Sequence, residues 1–301
     1  MTSATTREIQ GTPNTLPLLL KAALPVLPGA SLLPGIRKSG STLPQLTLTR
    51  HDVPVDRDHV AAYSEVCGFG LREALPVSYP HMLAFPLHLA LMTDGAFPFP
   101  AVGLVHIENS ITAHRAISAA ERLQVTARPR DLRAHPKGRA FDIVTQVHSA
   151  GELVWEETST FLRRGASAEG DGAVSERSFE EVPASGIEWN LSGDLGRRYA
   201  AVSGDHNPIH LYGVTAKAFG FPRQIAHGMW SKARCLAALE GRLPDAVRVD
   251  VAFKKPILLP SRVAFGSRPV AGGSGRQDFA FSLTSPKDGA PHLLGRTTAL
   301  D

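Results

Sequence analysis

The feature that most limits how this chain folds is an internal repeat, in which the second half of the sequence follows the first in the same order. Three positions of the first half, Tyr63, Val66 and Gly68, have the same spacing as Tyr199, Val202 and Gly204. Five later positions also keep their spacing: Arg115, Ile117, Arg122, Arg128 and Pro129 match Lys255, Ile257, Arg262, Arg268 and Pro269. Matches that keep one order over about a hundred residues indicate two copies of a single fold.

Each copy predicts a helix, a longer apolar helix and then a series of antiparallel strands. In the first copy residues 46–55 alternate like a strand, helices are predicted over 56–68 and 80–92, and strand-like runs follow near 101–112, 121–133, 140–149 and 153–163. In the second copy Met229, Ala233, Leu236 and Ala237 fall on one face of a helix predicted over residues 228–239, after which Gly241 is a stop signal. A curved sheet around one apolar helix in each copy predicts an α+β double hotdog, with the two sheets edge to edge.

The repeat divides the chain into four predicted segments. They are an N-terminal arm (1–45), a degenerate N-terminal hotdog (46–164), a linker rich in Gly, Ser, Ala and Glu (165–186) and a C-terminal hotdog (187–301). In the arm we expect residues 1–15 to be polar and mobile and residues 16–45 to be irregular. Prolines and Lys21 interrupt its apolar stretch 16–33, which predicts a soluble arm rather than a membrane anchor or a signal peptide; contact with a membrane surface or a cover over an acyl chain is the alternative.

Composition excludes several classes of function. The net charge of +4, with a pI near 9.2, is too weak and too dispersed to indicate nucleic-acid binding, but it suits a partner with phosphates or an acidic surface. The two cysteines, Cys67 and Cys235, are far apart in apolar contexts. A disulfide is therefore not expected, and a reducing compartment, the cytoplasm, fits best.

Chemically useful residues concentrate in two runs of the second copy, 203–210 and 225–229. Pro208 disfavours a helical conformation at the residue before it, so Asn207 is predicted to cap a helix whose first residue is Pro208. His210 then lies in the first turn, where the helix dipole disfavours the imidazolium. A neutral imidazole near pH 7 can accept a proton.

Asp205 and Gly228 complete the candidate site. Asp205 lies in a turn that Gly204 permits, from which its carboxylate can share one water with His210 and divide the acid and base work with it; the sequence does not assign the two roles. Gly228 begins the central helix, so its N–H has no intrahelical partner and can bind an enolate oxygen.

Other residues in the two runs receive more ordinary interpretations. His206 and His210 are spaced like metal ligands on a helix, but Pro208 places His206 outside that helix, and no metal is expected. His227 is interpreted as support for the Gly228 turn, and His81 and His88 as core or lining residues. The first copy has Phe69 in place of Asp205 and no counterpart of His210. Only the second copy is therefore expected to be catalytic.

The runs 199–210 and 225–229 closely resemble the hydratase 2 signature of MaoC-like (R)-specific enoyl-CoA hydratases. The first half, through residues 75–80 and 106–112, resembles the degenerate half of double-hotdog 3-hydroxyacyl-thioester dehydratases. The resemblance covers roughly residues 20–300. It departs at Leu236, near which some single-hotdog members carry a serine.

This resemblance implies the reversible hydration of a trans-2-enoyl thioester to an (R)-3-hydroxyacyl thioester, with no metal or other cofactor. It assigns catalysis to Asp205, His210 and Gly228. It also implies that four neighbouring residues bind the substrate: Ser203, Asn207, His227 and Met229. Candidates for contact with the carrier's phosphates are Arg223, Lys254, Lys232, Arg234 and Lys255. Coenzyme A and acyl carrier protein both remain open as carriers, as do acyl-chain length, reaction direction, pathway and a monomer or a homodimer. The alternatives are a hotdog acyl-thioesterase and a non-catalytic acyl-thioester-binding module.

Overall fold

The computed structural model describes residues 5–23, 40–165, 179–271 and 277–301. The first half of the sequence contains β1 (Thr5–Glu8), α1 (Thr15–Ala23), β2 (Leu46–Val53), α2 (Arg57–Cys67), α3 (Pro80–Thr93), β3 (Leu104–Ala113), β4 (Leu123–His135), β5 (Gly138–Ser149) and β6 (Glu152–Arg164). The second half contains β7 (Ile187–Leu191), α4 (Leu195–Ser203), α5 (Pro208–Leu211), α6 (Gly213–Ala218), α7 (Gly228–Leu239), β8 (Val247–Phe253), β9 (Ser261–Val270), β10 (Asp278–Thr284) and β11 (Pro291–Ala299). Within these ranges, no helix is long and apolar enough to cross a membrane.

The chain forms two compact units, neither of which is continuous in sequence. The first consists of residues 1–54, 80–106 and 122–175, and the second of residues 55–79, 107–121 and 176–301. The second unit thus contains α2 from the first half of the sequence together with every element that follows the predicted linker. Of that linker, residues 166–178 lie outside the described part of the chain.

The first unit is built on strands in the order β1-β2-β4-β5-β6, where only the β1–β2 pair is parallel. Helix α3 packs against β2, β4 and β5, and most of its side chains are buried. A helix that is apolar on all sides has no face to present to water, which explains its central position.

The second unit contains strands in the order β3-β8-β11-β10-β9-β7, and every neighbouring pair is antiparallel. Helix α7 packs against β10. Met229, Ala233 and Leu236 of its predicted stripe are buried and Ala237 is half-buried, and further buried residues lie beside the stripe: Trp230, Ser231, Lys232, Cys235 and Leu239. Helix α2 packs against both α4 and α7. Most of the apolar stripe predicted for α7 is therefore buried, but the buried surface of the helix is wider than the stripe.

The repeat seen in the sequence is present in the topology. Strands β2-β4-β5-β6 are neighbours in the same order as β7-β9-β10-β11, and each set accompanies one long buried helix. The α+β double-hotdog class is therefore confirmed. The second copy differs by the two short helices α5 and α6, which occupy the longer connection between Gly204 and Met229.

Two local predictions were wrong. Residues 5–8 form a strand, because the backbone of this polar segment pairs with β2 and Thr5 N–H donates to the Gln45 carbonyl at 2.8 Å. Residues 15–23 form a helix where irregular chain was expected; Pro17 lies in its first turn, where a missing N–H breaks no intrahelical bond. Helix α7 ends at Leu239, as predicted. The rest of the predicted arm, residues 1–4 and 24–39, lies outside the described residues.

Candidate active site

The site begins at the turn that follows α4. Gly204 ends this helix in the left-handed conformation, at φ +71°, and its N–H donates to the Ala200 carbonyl at 2.9 Å. A side chain rarely adopts this conformation, so glycine is required here for the chain to turn. The Asp205 N–H then donates to Ser203 Oγ at 3.2 Å, and Asp205 Oδ1 accepts from the Asn207 N–H at 3.2 Å. Both interactions fix the direction in which the Asp205 carboxylate leaves the turn.

The next residues form the single helical turn α5. The Asn207 side chain caps this turn by accepting the Ile209 N–H at 3.4 Å, and Pro208 is its first residue, as predicted. Because α5 contains only four residues, His210 lies close to both of its ends. The His210 side chain is buried.

His210 is held in one tautomer. Its Nδ1 lies 2.8 Å from the Ile225 carbonyl oxygen, which can only accept, so Nδ1 carries the hydrogen and neutral His210 keeps a lone pair on Nε2. Burial lowers the pKa of His210 below its ordinary value of 6.5 and outweighs the opposite effects of Asp205 and of the bond to Ile225. Burial is thus the main reason that the His210 imidazole is neutral, whereas the helix dipole was the reason expected from the sequence.

His227 contacts both members of the predicted acid–base pair. Its ring stacks on that of His210 with centroids 3.7 Å apart, and its Nε2–H donates to the Asp205 carbonyl oxygen at 2.9 Å. Burial, followed by the neighbouring His210, lowers the pKa of His227 from 6.5 to about 3. A neutral His227 therefore fixes the Asp205 backbone and one face of the His210 ring.

The three side chains converge. One nitrogen or oxygen atom from each of Asp205, His210 and His227 lies within 4.8 Å of the others. The Asp205 side chain keeps 27% of its surface exposed, whereas both imidazoles are buried. A carboxylate open to solvent thus lies beside a buried histidine, which is an arrangement suited to acid–base chemistry on one water.

Gly228 follows His227 and is the first residue of α7, as predicted. The first N–H groups of a helix have no intrahelical partner, so the Gly228 N–H is available at the positive end of α7. A Cβ added at Gly228 would lie 3.1–3.2 Å from the ring of Phe253, so a larger residue would crowd that ring. The adjacent Met229 is buried.

Comparison with known proteins identifies the family of this chain. The family model described as the MaoC like domain matches residues 176–281, a range that includes every residue of the candidate site described above. The 3-hydroxyacyl-thioester dehydratase X of Mycobacterium tuberculosis is 38% identical over 289 residues, covering 96% of this chain and 99% of that protein. The chain belongs to the MaoC-like dehydratases.

Solved structures of MaoC-like dehydratases share the fold. The crystal structure of HtdX from M. tuberculosis superposes with a TM-score of 0.74 at 37% identity, covering 84% of this chain and all of that one (100%). A MaoC-like dehydratase from Phytophthora capsici has a TM-score of 0.67 at 21% identity, covering 85% of this chain and 94% of that one. The second likeness concerns the fold alone.

The geometry of this MaoC-like site is poorly suited to a metal ion. An imidazole that binds a metal directs the in-plane lone pair of one nitrogen at the ion, but the rings of His210 and His227 are stacked, with an interplanar angle of 26°. Another group in the described residues, in the first unit, has ligand-like spacing: His81 lies 2.9 Å from the Glu157 carboxylate, and His88 Nε2 lies 2.6 Å from Thr145 Oγ1. These side chains are buried, in keeping with the core positions expected for the two histidines.

The predicted phosphate contacts separate into two groups. Arg223, Lys254 and Lys255 are exposed. Lys232 is fully buried, with Nζ bonded to Asn109 Oδ1 and 3.0 Å from the Val249 carbonyl oxygen, so its assignment to the surface was wrong. The guanidinium of Arg234 is half-buried and lies 4.3 Å from the centre of the Trp189 ring, which also makes it a poor phosphate ligand.

Gly196 lies against the site, although no sequence pattern pointed to it. A Cβ on this residue of α4 would lie 1.9 Å from the His210 carbonyl oxygen. Only glycine therefore lets α4 approach the backbone of α5 this closely. A glycine near the start of a predicted helix was the only available signal, and it did not indicate which partner lies opposite.

Proposed function

We propose that this MaoC-like dehydratase is a hydro-lyase that reversibly hydrates trans-2-enoyl thioesters to (R)-3-hydroxyacyl thioesters. The observation that carries the proposal is the convergence of the Asp205 carboxylate with a neutral His210 whose Nε2 lone pair is unprotonated. An acid–base pair that shares one water is what this reaction requires.

The reaction requires two proton transfers and one new bond to oxygen. In hydration, the water oxygen bonds to C3 of the enoyl thioester, one water proton passes to the site, and C2 receives a proton as the enolate collapses. In dehydration, the same steps run in reverse and the C3 hydroxyl leaves as water. Asp205 and His210 serve these transfers together, since both reach the same water.

Gly228 stabilises the charge that forms between these transfers. As C3 and C2 react, negative charge develops on the thioester oxygen, and we assign the Gly228 N–H as its hydrogen-bond donor. A donor of this kind typically contributes about 10²–10³ in rate. Asn207 and Ser203 hold the Asp205 turn through the bonds described above, while His227 holds its backbone.

The substrate is an acyl thioester of coenzyme A or of acyl carrier protein, and both carriers present phosphate. The exposed Arg223 and Lys254 are proposed to contact it. Cys67 and Cys235 are both free and buried, and burial raises the pKa of the Cys67 thiol to about 12. Unreactive thiols of this kind fit a reducing compartment, and we place the enzyme in the cytoplasm.

A single incubation with an enoyl-CoA tests the reaction class. We expect the enoyl absorbance to fall, a 3-hydroxyacyl-CoA to form and no free thiol to appear. A thioesterase would release thiol, and a binding module would retain the substrate without turnover. Either outcome would overturn the proposed reaction.

A further inference from the structure

Helix α2 carries a histidine that is hydrogen-bonded to α4. This helix leads into the turn formed by residues 203–207, which we call the catalytic turn. His59 Nε2 lies 2.7 Å from the Val202 carbonyl oxygen, and His59 Nδ1 lies 2.8 Å from the Tyr79 hydroxyl. Because a carbonyl only accepts, Nε2 carries a hydrogen that it donates to Val202 O, and a second hydrogen bond joins Nδ1 to the Tyr79 hydroxyl. Val202 O is among the last four carbonyls of α4, which have no intrahelical partner.

The same helix also bonds to the start of α7. Trp230, two residues after Gly228, donates its Nε1–H to the Val66 carbonyl oxygen at 3.0 Å. Val202 stands three residues before Asp205, and the turn between them is closed by the Ser203 hydroxyl. One helix from the degenerate half of the sequence is therefore hydrogen-bonded to both segments that carry the proposed chemistry.

The Tyr79 side chain, which bonds to His59, is itself held firmly in place. Tyr79 is fully buried, and burial raises the pKa of its hydroxyl above the ordinary value of 10.0, so it remains an O–H donor. Its ring packs edge-on against Tyr63, with centroids 5.4 Å apart. The hydroxyl that orients His59 is thus held within an aromatic cluster.

We propose that His59 is a positioning residue for the catalytic turn, which through Val202 O fixes Asp205 relative to Gly228, and that Tyr79 sets its orientation. The inference rests on the proposed hydration reaction. It gives α2 a part in that reaction even though its half of the sequence lacks the acid–base pair. A displacement of reacting groups by about 1 Å, caused by a change away from the chemistry, can lower activity about 10²-fold, which sets the scale expected here.

Four variants separate positioning from stability. His59→Leu removes both hydrogen bonds, His59→Gln restores an N–H donor near the Nε2 position, and Tyr79→Phe removes only the hydroxyl. Tyr63→Phe is the matched control, because it removes a buried hydroxyl bonded to Ser78 Oγ at 2.9 Å in the same cluster but leaves His59 untouched. Each variant is assayed for kcat and KM with an enoyl-CoA and for amide hydrogen exchange at residues 204–206.

We expect His59→Leu to lower kcat about 10–100-fold with KM within about twofold, His59→Gln to recover most of the loss, and Tyr63→Phe to match wild type. Tyr79→Phe should also lower kcat, and exchange at residues 204–206 should accelerate in His59→Leu and Tyr79→Phe but not in Tyr63→Phe. Wild-type kcat in His59→Leu, or equal losses in Tyr79→Phe and Tyr63→Phe, would overturn the inference. If His59→Leu does not fold, the Tyr79→Phe and Tyr63→Phe pair decides. A wild-type enzyme without turnover would refute the proposed function instead, and unchanged exchange would then still refute the positioning role.

Discussion

His227 and His210 lie face to face, with ring centroids 3.7 Å apart, and His227 also donates to the Asp205 backbone carbonyl at 2.9 Å. One buried, neutral histidine thereby contacts both partners of the proposed acid–base pair. Its Nδ1 has no hydrogen-bond partner among the described residues. The ring thus acts through Nε2 and through its stacking face.

This arrangement predicts that His227→Leu lowers kcat about 10–100-fold, because the Asp205 carbonyl loses its donor and His210 loses the ring that supports it. His206→Ala is the matched control, since His206 is an exposed histidine in the same turn. Steady-state kinetics with an enoyl-CoA measure both. Equal activity in the two variants would show that the contact does not matter.

The close approach of Gly196 to the His210 carbonyl leads to a second prediction. In Gly196→Ala the new methyl would meet the His210 carbonyl oxygen at 1.9 Å, so α4 and α5 must move apart. We expect a loss of about 1–3 kcal/mol in unfolding free energy, together with a lower kcat. Gly241→Ala introduces a methyl with no atom within 4 Å and should change neither. Denaturant unfolding and kinetics compare them; similar values for the two variants would contradict the close approach.

Buried histidines predict that stability falls in mild acid. Burial lowers the pKa of His88 from 6.5 to about 4, so between these values the unfolded chain binds a proton that the folded chain does not. The contribution of His88 to the free energy of unfolding is therefore fully present above about pH 6.5. It decreases toward pH 4 by at most about 1.4 kcal/mol per pH unit for one group. His88→Gln should flatten this dependence, and His51→Gln, at an exposed histidine, should not. Urea unfolding at several pH values distinguishes them.

Lys232 is predicted to be structural rather than a phosphate ligand. Lys232→Met would leave the Asn109 and Val249 oxygens without this donor in a buried setting, which should cost about 3 kcal/mol or more. Lys217→Met, at an exposed lysine, should cost less than about 0.5 kcal/mol. Thermal and denaturant unfolding test the difference. A larger effect at Lys217 would reverse the assignment.

Local signals in the sequence predicted much of this molecule. Gly68 marked a helix end, Gly204 marked the turn before Asp205, and Asn207-Pro208 marked a helix start; both glycines adopt left-handed conformations. The pairing of Asp205 with His210 followed from their short separation. Contacts made through the backbone had no comparable signal in the sequence. The β1 pairing, the approach of Gly196 to His210 O, and the bond from His59 to Val202 O depend on where distant segments meet. His59 does share a helix face with Tyr63, but this pattern is typical of many packed helices.

The rate of enoyl-thioester hydration in Asp205→Asn, His210→Gln and the double variant tests the proposed acid–base pair most directly. If the two side chains act on one water, each single variant should lose about 10²–10⁴ in kcat, and the double variant should be little worse than the weaker single one. All three must keep the unfolding free energy near that of wild type. Hydration within about tenfold of wild type in either single variant, or losses that multiply in the double variant, would contradict the shared role of Asp205 and His210.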